Sequence, residues 1–196
     1  MPQVQDYVSG NILTLIKRGF RLFHCLGIPI IGSVVKQYGA KVLKQCDAQK
    51  ISADHAAALI TNAQRCAVGQ RICNVLYDGA DHGKSVFLDE LADGLVHAGK
   101  AAYVEKADAL RTIVENRKGP IMITQVSGKH MEICRSIPKH CIYWNSEKHG
   151  LKCIKRNCSA LGSDQIKSKK EFLFFFSKEL HYLDNKELVF QRIRKS

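Results

Sequence analysis

The sequence predicts a mainly α protein with a small β element, an α+β fold in which a compact cysteine-ligated metal domain is preceded by amphipathic helices. Three observations predict it. Apolar residues recur with helical spacing through most of the first 116 positions, only Ile121–Val126 reads as a clear strand, and four of the eight cysteines fall into two segments of identical spacing. A chain of 196 residues with 45% hydrophobic and 24% charged residues can bury an ordinary core, which excludes wholesale disorder.

The elements follow in chain order. Residues 8–24 read as a helix in which Ile12, Leu13, Ile16 and Phe20 oppose Lys17, Arg18 and Arg21. Gly27 and Pro29 end it. Residues 33–45 form a second helix, with Val34, Val35, Tyr38, Val42 and Leu43 on one face. Ser52 caps a third, running to about Gln64, with Asp54 in its first turn. Asp78–Gly83 is a loop. Ser85 caps a fourth helix over Val86–His97, stopped by Gly99. Glu105–Asn116 is a fifth, ended by Gly119-Pro120, and Leu151–Lys155 is a short closing strand after the main one. The chain divides into a helical N-terminal region at 1–50, a cysteine-bearing metal-binding domain at 51–158 and a basic, aromatic C-terminal extension at 159–196. In that extension Lys167, Lys169 and Lys170 precede Phe172-Leu-Phe-Phe-Phe176.

The net charge of +12 is unevenly spread, at +5 over residues 1–50, +1 over 51–150 and +6 over 151–196. The basicity belongs to the ends. With no helix-turn-helix, RRM or finger signature, nucleic acid is disfavoured as a partner. Solvated surface charge is the plain reading, beside attraction to an anionic membrane or acidic partner. The longest apolar stretch, Leu26–Val35, holds two glycines and a proline and falls short of the ~18 residues a spanning helix needs. The 8–24 helix suits core packing, and also a peripheral membrane contact. Met1–Tyr7 lacks the basic start and apolar run of an export signal, so the expected location is cytoplasmic, with the inner membrane face as a peripheral option. In a reducing compartment, clustered cysteines bind metal more often than they form disulfides.

Six residues separate Cys66 from Cys73, and six separate Cys134 from Cys141. On a straight helix each pair would be displaced by about 10 Å along the axis, too far to share a centre. Gly69 and Pro138 allow the chain to bend between them. Four thiolates from two loops fit a structural zinc or an iron–sulfur cluster. Neither segment holds the short knuckle usual in zinc ribbons, and Arg65, Arg71 and Arg135 can offset the charge of a cluster, so iron–sulfur is the favoured cofactor and zinc the alternative. Gly69, Gly128 and Lys129 are expected beside it. Cys25 and Cys46 read as core residues, and Cys153 and Cys158 as reserve ligands.

The order of a first cysteine loop, an apolar helix, the segment Val104-Glu-Lys-Ala-Asp-Ala-Leu110, a strand ending near Gly128-Lys129 and a second cysteine loop resembles uncharacterised ferredoxin-like iron–sulfur proteins of anaerobic bacteria and archaea. The match covers about residues 60–158 and lacks their denser cysteine clusters. The resemblance implies a [4Fe–4S] cluster on Cys66, Cys73, Cys134 and Cys141.

Other chemistry is thinly supported. His130 and His140 read as surface residues. Gly83-Lys84-Ser85 lacks the preceding glycine of a phosphate loop, and Asp78–Asp81 lacks a calcium loop's ligand set. Asp89, Glu90 and Asp93 form a solvated helical face. A Cys134 nucleophile with His130 or His140 has no recognisable orienting carboxylate. The expected function is one-electron transfer or redox sensing by a [4Fe–4S] protein with a redox partner protein. The alternative is a zinc-stabilised module that binds an acidic partner or nucleic acid, and a third reading is a metal-free, cysteine-based redox enzyme. Whether the chain is an enzyme is left open by the residues.

Overall fold

The computed structural model of the chain describes residues 2–23, 29–71, 73, 83–115 and 119–156. Cys25, Cys158, most of the Asp78–Gly83 loop and the 159–196 extension lie outside them. Met1–Cys158 is one compact unit.

The fold is a sheet-rich α+β architecture, which corrects the mainly α expectation. The elements are α1 (Val4–Ser9), α2 (Asn11–Phe23), α3 (Pro29–Lys44), β1 (Gln49–Ile51), α4 (Ala53–Asn62), β2 (Cys66–Gln70), β3 (Lys84–Leu88), α5 (Asp89–His97), β4 (Ala101–Tyr103), α6 (Lys106–Glu115), β5 (Ile121–Val126), β6 (Lys129–Arg135) and α7 (Ile142–Lys148). The six strands form one sheet in the order β1-β5-β6-β3-β2-β4, with every named pair antiparallel.

Several expected helices are present. Ser52 does cap α4, its hydroxyl accepting from the His55 amide at 3.1 Å. Pro29 opens α3 rather than ending a helix, since its missing N–H costs nothing in a first turn. Gly10, at φ +81°, splits the first predicted helix into α1 and α2.

The corrections fall where strand and helix abut. Val86, Phe87 and Leu88 are strand, and the helix begins at Asp89. Consecutive buried residues satisfy a helical template as readily as a fully covered strand, which is why the two merged in sequence. Ser85 therefore caps nothing; it points from β3 into the interior. Of the two cysteine segments, read as loops, the first is largely strand, with Cys66 opening β2; the second leaves β6 at Arg135, directly after Cys134, and is otherwise the expected loop. The predicted strand Ile121–Val126 coincides with β5. It turns into β6 through Ser127 and Gly128, at φ +49° and +82°, the paired left-handed residues of a two-residue hairpin.

Alternation along the strands sorts residues onto two faces. One face carries Cys66, Val68, Val86, Ile121, Ile123 and Ile133 and is covered by α4 and α6, which supply Ala56, Ile60, Ala109 and Ile113. The other carries Ala67, Phe87, Ser85, Met122, Thr124, Glu132 and Cys134. There α1 and α5 cover the apolar part, with Tyr7, Leu91 and Leu95. No helix of the described residues is long and apolar enough to cross a membrane. Ile12 of α2 is buried in the core, with Leu13 and Ile16 packed against it.

Candidate functional site

The second face of the sheet is polar at its centre, and the cysteines gather there. Glu132 projects from β6 and is ringed by hydroxyls. It accepts from Tyr7 Oη at 3.2 Å, Ser85 Oγ at 3.3 Å and Thr124 Oγ at 3.2 Å. Each comes from a different element, so the carboxyl pins α1 to β3, β5 and β6. Burial pushes the Glu132 carboxyl above its ordinary range, against the lowering effect of the three hydroxyls and of Arg71.

Cys134, two residues further along β6, shares this face. Next to it is the pair Cys73 and Cys141. The Cys73 thiol hydrogen-bonds to Cys141, which holds Cys73 protonated well above its usual value. The same bond is the main reason that Cys141 is lowered, to about 7, against the cost of burial. Ser136 adds to the lowering, as do the amides of Trp144 and Tyr143, which point at the sulfur from the first turn of α7 without closing a capping hydrogen bond. Cys153 follows α7 and bonds the Tyr143 carbonyl at 3.6 Å through its thiol, and Cys46 hydrogen-bonds to the Tyr143 side chain. Of the six described cysteines, all free thiols, five therefore surround α7.

The sixth is Cys66. It lies on the opposite face, 4% exposed, with its thiol on the Ile60 carbonyl at 3.8 Å. Cys73, Cys134 and Cys141 are brought together; Cys66 is kept from them by the thickness of the sheet. As placed here, the four expected ligands do not fit one centre. Among the described residues, no three His, Cys, Asp or Glu side chains are grouped so as to hold a metal ion.

The three arginines expected beside a cluster are likewise dispersed. Arg65 is exposed and pairs with Asp93 at 3.1 Å. Arg135 is on the Cys66 face, where its guanidinium donates to the carbonyls of Ile113 and Gly119 at 2.8 and 2.9 Å. Only Arg71 reaches the thiol face. It is 4% exposed, its Nε donates to the Lys84 carbonyl at 3.2 Å, and its charge acts on Cys134 and Glu132. Gly128 and Lys129 sit at the far hairpin, where Lys129 pairs with Glu90 at 2.6 Å. His130 is half-buried rather than on the surface, and pairs with Asp47 at 3.0 Å.

Sequence reasoning missed Glu132, Tyr7 and Ser136. One signal was available for Glu132, a carboxylate flanked directly by Met131 and Ile133. Tyr7 and Ser136 carried none. Compared with protein families, with curated proteins and with solved structures, the chain matches none of them.

Proposed function

We propose that this protein is a thiol-based redox protein, most simply a redox sensor, whose working element is the Cys73–Cys141 dithiol. The reading is carried by the side-by-side placement of the two thiols, with Cys73 raised and Cys141 lowered chiefly by each other. That division suits reversible disulfide chemistry. The thiolate is the nucleophile, and the neighbouring thiol closes the disulfide when the first sulfur has been oxidised. Two-electron chemistry on these residues keeps the redox-sensing half of the sequence expectation without calling on Cys66. Cys134 stands close enough to act as a third thiol, but burial holds it protonated, with the Glu132 and Cys141 charges adding to that and Arg71 opposing it.

The test is anaerobic purification, metal and sulfide assay, then mild oxidation with diamide and peptide mapping. The expected result is a colourless protein that forms a Cys73–Cys141 disulfide and returns to the dithiol on reduction. A brown protein with iron and acid-labile sulfide, or one with stoichiometric zinc and unreactive thiols, would overturn the reading. Such a metal centre would have to draw on Cys73, Cys134 and Cys141, the expected ligands that share this face.

A further inference from the structure

Between Asp6 and Asp47 the chain has six lysines and arginines and no acidic residue. Helices α2 and α3 occupy most of that stretch and pack on each other. Lys17 and Arg18 of α2 and Lys36, Lys41 and Lys44 of α3 are all exposed. Among the described residues, none of these five has an ion pair or a side-chain hydrogen bond. Many cations elsewhere on the surface are tied down: Arg65 to Asp93, Arg111 to Asp108, Lys129 to Glu90, and Lys100 and Lys106 to backbone carbonyls.

The unpaired charge has a defined place on α3. One side of this helix is turned inward, where Gly39 lies against Leu151 and Val42, Leu43 and Cys46 are half-buried. The other side presents Lys36, Gln37, Tyr38, Lys41 and Lys44. Tyr38, which the sequence groups with the packed residues, is 63% exposed. It precedes Lys41 by three residues, so ring and cation are surface neighbours. Lys41 and Lys44 also stand in the last turn, where a cation complements the negative end of the helix. That accounts for neither Lys36 nor the exposed ring.

We propose that the outer face of α3, together with Lys17 and Arg18, docks this protein on an anionic phospholipid surface. Charge complementarity calls for an anionic partner, since unpaired like charges repel one another until phosphate meets them. The choice among anions rests on what lies between the cations. In sequence, Arg18 and Lys36 bracket seventeen residues, of which ten are apolar and one, Arg21, is charged. A nucleic-acid face interleaves its cations with hydrogen-bonding side chains that reach phosphate and sugar. Cations bracketing apolar residues, beside an exposed aromatic ring, suit a headgroup layer, whose phosphates lie just outside its acyl chains. The contact is peripheral. No described helix is long and apolar enough to cross a membrane, and α2 has Ile12 buried in the core with Leu13 and Ile16 packed on it. Adsorption held by exposed charge is reversible and weakens in salt.

The experiment is co-sedimentation of the full chain with phosphatidylcholine vesicles, with and without phosphatidylglycerol, at low and at high salt. We expect binding only to the anionic vesicles and its loss in high salt. Each exposed cation removed should weaken that binding about fivefold, so Lys36→Gln, Lys41→Gln and Lys44→Gln together should weaken it about a hundredfold. Tyr38→Ala, which removes no charge, should weaken it a few-fold. Lys148→Gln with Lys152→Gln, at exposed lysines elsewhere, should change it little. All these side chains are exposed, and far-UV circular dichroism confirms that each variant folds. Binding unchanged in the triple variant or in Tyr38→Ala overturns the assignment, because the attraction then lies elsewhere in the chain. An equal loss per charge in the Lys148 and Lys152 variant reduces it to general basicity and overturns it too. Fluorescein-labelled duplex DNA or polyglutamate serves as the rival probe, and tighter binding of either than of the anionic vesicles, lost in the triple variant, gives this face to a nucleic acid or an acidic protein instead.

Discussion

Tyr7→Phe is the sharpest probe of the polar interior. The substitution keeps the buried ring and removes only the hydroxyl that donates to Glu132 at 3.2 Å. Burial raises the Glu132 carboxyl, so the folded chain keeps this proton to higher pH than the unfolded chain. Stability from this group is therefore full below the unfolded carboxylate value, about 4.3, and falls as pH rises toward the folded value. The Tyr7 hydrogen bond favours the ionised form and limits that fall. Without it, the carboxyl rises further and the fall extends to higher pH. Near pH 4 the variant loses a neutral hydrogen bond, about 1 kcal/mol; at neutral pH it loses one to a group with carboxylate character, about 2 kcal/mol. For a unit of this size those losses are roughly 2–4 °C and 4–8 °C in Tm. Urea unfolding at the two pH values, followed by far-UV circular dichroism, measures both. Equal losses, or a larger loss in acid, would refute the argument that Tyr7 acts through the Glu132 charge.

The other expectations concern the cysteines and one glycine. Cys66→Ala should leave diamide-driven disulfide formation unchanged and cost about 1–2 kcal/mol through lost packing against Ile60; loss of oxidation chemistry in this variant would return Cys66 to the site. Alkylation of Cys141 should show a midpoint near pH 7, and Cys73→Ser should move it upward toward an ordinary thiol because the main cause of the lowering is then weakened; a midpoint that stays put removes the coupling between the two sulfurs. Gly119→Ala should cost about 2–4 kcal/mol, since a Cβ there would overlap the Ser136 carbonyl oxygen, a backbone atom. That variant should also slow Cys141 alkylation at neutral pH, because the Ser136 amide is tied to the Pro120 carbonyl at 2.8 Å; wild-type stability would mean this strand end yields freely.

The legible part of the fold was its isolated periodic pieces: α4 with its Ser52 cap, α6 and β5. Each is bounded by its own local signals, a cap or a Gly-Pro break. The sheet was not legible, because five of its six strands are too short, too polar at one end or too continuously buried to show clean alternation. The site was half legible. The equal spacing of Cys66–Cys73 and Cys134–Cys141 does mark the cysteine-bearing ends of β2 and β6, but a helix was the wrong ruler for it. In extended chain an odd separation puts two residues on opposite faces. Cys66 faces away from the other thiols by its place in β2, a strand that ends at Gln70, before Cys73. Cys134 and Cys141 have the same separation, yet β6 stops at Arg135 and the turn through Pro138 brings Cys141 back to the face of Cys134.

Proximity alone does not explain why one thiol among five should react. Burial raises Cys46, and raises Cys153 to about 12 with the help of Glu147. Cys134 is raised by burial despite Arg71. These three meet few donors and several groups that become negative. Cys141 is at least as enclosed, but its neighbours donate: a thiol, a hydroxyl and two amides. Desolvation acts on every sulfur here, so selection among them comes from the donors. Those donors are a matter of fold, since Cys73, Ser136 and the first turn of α7 meet only when β2, β6 and the following turn are in place. Local unfolding of that region would return Cys141 to an ordinary thiol before the whole chain unfolds. Reactivity at neutral pH is therefore a report on whether Cys73, Ser136 and the first turn of α7 are held around Cys141.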